Sequence, residues 1–239
     1  MNSICFFQHE ISDNETIIFS DSKRLGHIQT HLKSSVGDIL KVTILNTGIF
    51  EALIEEISSS RIKIKIQSEL PASRPWFNLL VGLSRPQTIK KVLEHSTTFG
   101  AKSFSLFRAN LSQKSYASSK IYENDTYQEY LIDGLAQSKT YFNLPDFELE
   151  TYLNLQKFES QKNKFFLSLN SQSSFLDFKG QLDNPLIAIG PERGWTAKEE
   201  QKLTEAGFRP IKISHSCLRV EHAIYSAVSQ LEMISLNKK

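Results

Sequence analysis

The segment Leu186–Thr196 has the sequence LIAIGPERGWT, and it indicates the fold class of the 239-residue chain. Its first four residues are apolar, which predicts a buried strand, and the two glycines that follow bracket a turn. Thr196 and Glu199 form the Thr-x-x-Glu pattern that begins a helix, and Gly207 is placed to end it. In open α/β sheets, ligands bind at the carboxyl ends of the strands. We therefore expect a binding loop between this strand and its helix.

A second segment repeats this arrangement near the end of the chain. Residues 208–213 read as a strand, residues 214–217 as a polar turn, and the chain from Leu218 onward as the final helix. That helix begins with Arg219 and Glu221, which are two residues apart. Because side chains at this spacing do not face each other on a helix, we expect each to have its own partner.

The surrounding chain, from about residue 75 to the end, alternates between short apolar strands and helices. This alternation predicts a mostly parallel sheet covered by helices. The further predicted strands are 78–83, 103–107, a stretch near Phe147, and 165–169, and the predicted helices are 88–99, about 125–138 and about 152–158.

The first seventy residues follow a different pattern of short strands separated by turns, which is typical of a small β-barrel. A helix is expected at 23–33, and two prolines within 71–75 mark the domain boundary. The predicted strands are 4–7, 16–19, 38–45, 49–57 and 61–67. In the last of these, Arg61, Lys63 and Lys65 alternate with isoleucines and so share one face. That face is either a solvated barrel surface or a contact for RNA phosphates.

Composition narrows the class of protein. The apolar content of 40% is enough for a core, and no apolar run approaches the length of a membrane span. The two cysteines, Cys5 and Cys217, form no framework of bridges, and the start of the chain does not read as a signal peptide, so we expect a soluble protein of the reducing cytoplasm. The net charge of +2 means that any RNA must bind through local patches. Neither GxGxxG nor GxxxxGK(S/T) occurs, and no Cys/His/Asp cluster at ligand spacing indicates a metal.

The two loops also carry a family resemblance. Ile189–Thr196 (IGPERGWT) resembles the IGPEGG(F/W)(S/T) loop, and Leu218–Ala223 (LRVEHA) resembles the LRTETA helix start, of the RsmE family of 16S ribosomal RNA uridine-N3 methyltransferases. This family belongs to the SPOUT superfamily. Gln137 and Ser138 resemble the end of its EQS helix.

The resemblance implies an α/β protein with a PUA-like RNA-binding β-barrel at 1–70 and a SPOUT methyltransferase domain at 75–239 that ends in a deep trefoil knot. It implies S-adenosylmethionine (SAM) as methyl donor, small-subunit ribosomal RNA as partner and an obligate homodimer. The residues themselves, as described above, predict neither metal nor membrane. The apolar last helix, with Ile224, Ala227, Val228 and Leu231, gives weak support for a partner surface. Cofactor binding is expected at Leu169, Ile189, Gly190, Pro191, Glu192, Gly194, Ile213, Ser214, Cys217 and Leu218. RNA contacts are expected at Arg24, Arg61, Lys63, Lys65 and Arg85.

Arg219 and Glu221 are the candidate catalytic residues. Arg219 would stabilise charge on the uracil ring or hold a phosphate, and Glu221 is either a base, an orienting acceptor or a cap for backbone donors. Cys217 could be read as a nucleophile, but methylation of a ring nitrogen needs no covalent adduct, so we expect a packing role.

Three departures from the family pattern in the two loops bear on the substrate more than on the fold. Arg193 stands at a usual glycine, Ser214 at another, and Ser216 at a frequent arginine. Two alternatives therefore remain: a knotted methyltransferase acting on a different RNA, and a PUA-type RNA-binding protein whose catalytic half has decayed.

Overall fold

In a computed structural model of the protein, which describes residues 3–180 and 182–237, the chain forms two compact units. The first comprises the chain up to Pro75 together with Ile132–Leu144, and the second comprises Trp76–Leu131 and the chain from Pro145 onward. One boundary thus follows the proline-containing segment. The assignment of 1–70 to a PUA-like barrel and of 75–239 to a SPOUT domain stays a prediction.

The first unit is built on a five-stranded sheet. Its strands are β1 (Ile4–Phe6), β2 (Thr16–Phe19), β3 (Ile39–Ile44), β4 (Gly48–Ile57) and β5 (Ile62–Leu70). They are arranged in the order β1-β3-β4-β5-β2, with β1 and β3 parallel and the other neighbours antiparallel. Helix α1 (Ser22–Gly26) continues into one π-helical segment at His27–Leu32, so the predicted helix is confirmed in position.

Strand β5 shows why this sheet has one apolar face. Ile62 and Ile64 are fully buried, whereas Lys63 between them points away and pairs with Glu55, with 2.9 Å between Nζ and the carboxylate. The predicted alternation along this strand is therefore confirmed.

The second unit is built on a six-stranded sheet in which every neighbouring pair is parallel. Its strands are β6 (Phe77–Gly82), β7 (Ala101–Phe107), β8 (Asp146–Glu150), β9 (Lys164–Leu167), β10 (Leu186–Ile189) and β11 (Arg209–Ile211). The order is β11-β9-β10-β6-β7-β8, which confirms the parallel α/β sheet. All four residues of β10 are buried, as its apolar sequence predicts.

The remaining helices are α2 (Pro86–Thr98), α3 (Tyr127–Ser138), α4 (Ala197–Glu205) and α5 (Val220–Leu236). The helix predicted at about 152–158 is wrong, since only Gln156–Phe158 form a single 3-10 turn there. Leu153, Leu155 and Phe158 pack against the core of this unit without a helix. Because residues two apart do not share a helix face, Leu153 and Leu155 could not both reach the core from one. Within the described ranges, no helix is long and apolar enough to cross a bilayer.

Candidate functional site

A cavity of about 280 Å³ lies at the carboxyl ends of the three neighbouring strands β9, β10 and β11. Each strand contributes the loop that follows it, and the first turns of α5 complete the wall. Because the strands are parallel, their carboxyl ends meet at one edge of the sheet, which is the edge where the two sequence motifs predicted a binding site. The residues of the three loops that line the cavity are 167–170, 189–192, 194–195, 211, 213–214 and 216–218, joined by Glu200 of α4 and by Val220 and Ala223 of α5.

All ten residues expected to bind a cofactor lie in this lining. They come from three separate loops. The sequence assigned residues to each loop, and the structure places the three loops around one cavity. They are Leu169, Ile189, Gly190, Pro191, Glu192, Gly194, Ile213, Ser214, Cys217 and Leu218.

The loop after β10 is held firmly at both ends. Trp195 donates from its indole nitrogen to the carbonyl of Leu167 at 3.0 Å and stacks on Phe107 with the ring planes 9° apart. Thr196 and Glu199 form the predicted capping box at the start of α4. Glu199 is buried and also accepts from the backbone N–H of Asn110, so the helix start is tied to the loop after β7 as well.

Two glycines allow the close approaches that this loop requires. A Cβ on Gly82, at the end of β6, would lie 2.7 Å from Cδ of Pro191 and 2.8 Å from its backbone nitrogen. A Cβ on Gly190 would lie 3.1 Å from the carbonyl carbon of Gly194. Gly194 itself has a φ of +73°, a conformation that side chains other than glycine rarely adopt. The tight turn therefore depends on glycine at these positions.

The loop after β11 is fixed from two directions. Gln230 of α5 donates from its side-chain amide to the carbonyl of Ile213 at 2.9 Å. The backbone N–H of Ser168 donates to Ile211 at 3.0 Å, and that of Lys212 donates to Ser173 at 2.8 Å, which joins this loop to the loop after β9. Within the turn, the N–H of Ser216 donates to Oγ of Ser214, as expected for a polar turn.

The charges in the lining are all negative. Glu192 accepts from the backbone N–H of Arg85 at 2.8 Å, and Glu200 accepts from the hydroxyl of Ser168 at 2.8 Å. Among the described residues that line the cavity there is no lysine, arginine or histidine. The interior can therefore accept hydrogen bonds and attract a positive charge.

Arg219 and Glu221 do not pair with each other, as their spacing predicts, but among the described residues an ion-pair partner is found only for Glu221. Arg219 precedes the first turn of α5 and is exposed, and its guanidinium makes no ion pair with any residue in the described ranges. Glu221 is only 4% exposed and lies outside the cavity lining, with its carboxylate 3.6 Å from Nζ of Lys91 on α2. This position favours the orienting role for Glu221 over the role of base.

Tyr225 adds a second link between the same two helices. Its hydroxyl donates to the carbonyl of Lys91 at 3.1 Å. Burial, followed by the carboxylates of Glu221 and Glu94, raises the pKa of Tyr225 above its ordinary range. The phenol therefore stays protonated and keeps this bond between α5 and α2.

Cys217 does not have the packing role expected from the sequence. It is exposed and belongs to the cavity lining. The turn that carries it follows β11, the outer strand of the sheet, and precedes α5, so it is not covered as a strand residue would be. Cys5, in contrast, is half-buried, and burial raises the pKa of its thiol to about 12.

Comparison with known proteins places this site in a family. The family model described as "RNA methyltransferase domain" matches residues 72–232, which include all three loops. The chain belongs to this RNA methyltransferase family. Its resemblance to the RsmE enzymes, drawn from the two loops, is confirmed by similarity to proteins that carry that designation.

Two of these relatives are bacterial proteins named as small-subunit ribosomal RNA methyltransferases. "Ribosomal RNA small subunit methyltransferase E 1" of Borreliella burgdorferi is 34% identical over 153 residues, which is 62% of this chain and 63% of that protein. "Ribosomal RNA small subunit methyltransferase E" of Treponema pallidum is 28% identical over 241 residues, which covers 95% of this chain and 89% of the relative. The match to the Borreliella protein thus spans less than two thirds of its length.

Solved structures share the fold. The small-subunit methyltransferase E of Neisseria gonorrhoeae, solved with bound S-adenosyl methionine, gives a TM-score of 0.78 at 19% identity and covers 97% of this chain and 98% of that one. A methyltransferase of Legionella pneumophila, solved in complex with SAM, gives a TM-score of 0.75 at 19% identity and covers 98% of each chain. At this identity the likeness establishes the fold.

In this member of the RNA methyltransferase family, the five residues expected to contact RNA differ in their availability. Arg24 is used within the first unit, since its guanidinium donates to Asp21 and Glu10 and lies over Phe6. Arg61 pairs with Glu56 and Lys63 with Glu55, so both have a negative neighbour. Lys65 and Arg85 are exposed and have no ion pair among the described residues.

Several lining residues are not among the ten that the sequence named for cofactor binding, although Trp195 and Ser216 lie in the two predicted loops. Ser168 and Asn170 follow β9, and the rule that ligands bind at the carboxyl ends of strands could have found them. Glu200 carries no such signal, because its pattern is that of an ordinary helical surface residue. The others are Leu167, Trp195, Ile211, Ser216, Val220 and Ala223. In the described part of the chain, no group of three or more His, Cys, Asp or Glu side chains is placed to hold a metal ion.

Proposed function

We propose that the protein transfers a methyl group from SAM to N3 of a uridine in 16S ribosomal RNA of the small ribosomal subunit. The observation that carries this proposal is the cavity itself, in which the IGPE-type loop and the LRVEHA helix start meet in one site. The relatives named as ribosomal RNA small-subunit methyltransferases support the choice of RNA.

The cavity suits a flat, polar nucleoside with an amino-acid tail. Gly190 and Gly194 let backbone approach the ligand closely, and Leu169, Ile213 and Leu218 offer apolar contacts for a base. Two neighbours in the fold were solved with bound SAM. We assign SAM binding to the ten predicted residues, together with Ser168 and Glu200.

The chemistry requires alignment more than covalent help. Bound SAM supplies a methyl group attached to a sulfonium sulfur. When the N3–carbon bond forms and the carbon–sulfur bond breaks, the sulfur is left as a neutral thioether. The proton of uracil N3 passes to solvent or to a base, and negative charge develops on the ring as it departs. The residues of this chain must therefore place N3 in line with the methyl group and stabilise that charge.

Arg219 is the residue that we assign to this task. It lies between Leu218 and Val220, which both line the cavity, and it is exposed. There it can face the uracil ring or a phosphate of the target nucleotide. Glu221 is assigned as a positioning residue, because through Lys91 it fixes the first turn of α5 and hence the direction of Arg219.

RNA would approach along exposed basic residues. Arg85 directly precedes α2, and its backbone N–H donates to Glu192, a residue of the cavity lining. In the first unit, a PUA-like barrel would present Lys65 to the RNA phosphates. Its other candidate contacts are weaker because they already pair with carboxylates: Arg24, Arg61 and Lys63. These contacts would give affinity, and the methyl-transfer site would select the nucleotide.

We also propose that the second unit carries a trefoil knot. The segment after β9 runs beside β11, with the hydroxyl of Ser171 bonded to Pro210 at 2.9 Å. Helix α5, which follows β11, packs against both β10 and the 3-10 turn at Phe175–Phe178. The last helix threading behind these loops would account for such packing.

A homodimer in the cytoplasm completes the proposal. The apolar stripe first considered as a partner surface cannot serve, because Ile224, Ala227, Val228 and Leu231 are buried within their own unit. Met233 and Leu236 of the same helix are exposed and remain available. Light scattering at micromolar concentration should give twice the monomer mass, and a fully active monomer would contradict a shared site.

Primer extension tests the product. Small subunits from a strain lacking the gene are incubated with the protein and SAM, and reverse transcription should then halt one nucleotide before the modified uridine, because N3 methylation blocks the Watson–Crick edge. Arg219→Ala should lose the stop while keeping SAM affinity, and Arg193→Ala serves as a matched loss of one exposed arginine. Transfer of labelled methyl without a stop would indicate another RNA or atom. Absence of both SAM binding and transfer would indicate a decayed enzyme.

A further inference from the structure

We propose that the cavity distinguishes the methyl donor from the demethylated product by charge, and that Glu200 is the specificity-determining residue. This inference rests on the proposed function and deepens it. It concerns the discrimination between SAM and S-adenosylhomocysteine, two ligands of nearly the same shape.

The charge of the lining carries the argument. Its two carboxylates, Glu192 and Glu200, have no ion-pair partner among the described residues, and each accepts one hydrogen bond from an uncharged donor. A carboxylate offers about four acceptor positions, so both keep unused capacity. The lysine and arginine residues that adjoin lining residues along the chain are Arg193, Lys212 and Arg219, and none of them lines the cavity itself. The charged side chains of the lining are therefore both negative.

Glu200 is better placed than Glu192 to act on a bound ligand. Glu192 is exposed, so water and salt screen its charge, whereas Glu200 is half-buried between the loop after β9 and the start of α4. Glu200 also lies in the first turn of α4, where the helix dipole favours a negative charge. Its bond from Ser168 fixes the carboxylate at the wall of the cavity.

The two ligands differ in the charge that this wall would sense. SAM carries a sulfonium, an ammonium and a carboxylate and has a net charge of one positive unit. The product has lost the sulfonium charge and is neutral overall. An attraction between unit charges roughly 3–4 Å apart, screened as fully as in bulk water, changes a dissociation constant by about fivefold to tenfold. We therefore expect SAM to bind about five to ten times more tightly than the product, which favours product release after transfer.

Calorimetry with three ligands tests this inference. SAM, S-adenosylhomocysteine and sinefungin, which replaces the sulfonium by a carbon bearing a charged amine, are titrated into the wild-type protein. SAM and sinefungin should both bind more tightly than the product, and the difference should shrink as sodium chloride is raised. Equal affinities for SAM and product in the wild type would overturn the inference and leave the proposed cofactor intact. If none of the three binds, the proposed function fails as well.

Variants then locate the effect. Glu200→Gln should weaken SAM about fivefold and the product less than twofold. Glu205→Gln, which removes the same charge from the far end of the same helix, should leave the ratio unchanged. Equal weakening of both ligands by Glu200→Gln would show a structural role and overturn the assignment. If that variant does not fold, the wild-type ratio and its salt dependence still decide whether charge discriminates.

Discussion

Gly82 offers the sharpest test of how the cofactor loop is held. Its Cβ in a Gly82→Ala variant would lie 2.7 Å from Cδ and 2.8 Å from the backbone nitrogen of Pro191, although ordinary contacts begin at 3.4 Å. Pro191 is buried and rigid, and the turn that it begins is closed by a hydrogen bond from the N–H of Gly194 to its carbonyl at 2.8 Å. The clash must therefore move the loop or the end of β6 by roughly half an ångström or more.

The expected cost is about 1–3 kcal/mol, the range for one extra methyl group in a closely packed site. Part of this cost should appear as a lower melting temperature and part as weaker binding of SAM. If about 1–2 kcal/mol of it opposes the loop conformation that binds SAM, the dissociation constant should rise about fivefold to thirtyfold. The measurements are a thermal melt and a calorimetric titration with SAM. Gly180→Ala is the matched control, because nothing lies within 4 Å of the added Cβ there. Wild-type stability together with wild-type affinity in Gly82→Ala would refute the reasoning.

Further predictions follow from single contacts. Trp195→Phe removes the indole bond to the carbonyl of Leu167 and should lower stability by about 1 kcal/mol, as read from chemical denaturation. With a thiol reagent, the exposed Cys217 should react quickly and be protected by SAM, whereas Cys5, whose pKa burial raises to about 12, should react only on unfolding. Burial lowers the pKa of His27 in the folded protein, so the first unit should lose stability as the pH falls through the unfolded-state pKa near 6.5. The denaturation midpoint should therefore be lower at pH 5.5 than at pH 7.5, and this difference should be smaller in His27→Leu than in the wild type.

The sequence predicted those features of the site that depend on local pattern. The capping box of Thr196 and Glu199 and the turn at Gly207 are set by residues a few positions apart, and the structure confirms both. The buried strand before Gly190 and the polar turn after β11 are local in the same sense. The parallel sheet followed from the alternation of strands and helices.

Features that depend on distant contacts could not be predicted. Ile132–Leu144 join the first unit through pairings far along the chain, such as the N–H of Asn46 with the carbonyl of Phe142 at 2.8 Å. The partner of Glu221 lies on α2, more than a hundred residues earlier. Glu200 meets Ser168 only because the fold brings α4 next to the loop after β9. The apolar stripe of α5 was compatible with either its own sheet or a partner, and only packing decides between them.

The central claim is that this cavity serves methyl transfer to uridine N3, and nucleoside analysis tests it most directly. Small subunits isolated from a strain lacking the gene are incubated with the protein and SAM carrying a labelled methyl group, and the 16S RNA is digested to nucleosides for mass spectrometry. The account predicts labelled 3-methyluridine with the wild-type protein and its loss with Arg219→Ala. Label on another base, on the ribose, or on no nucleoside of the small-subunit RNA would contradict it.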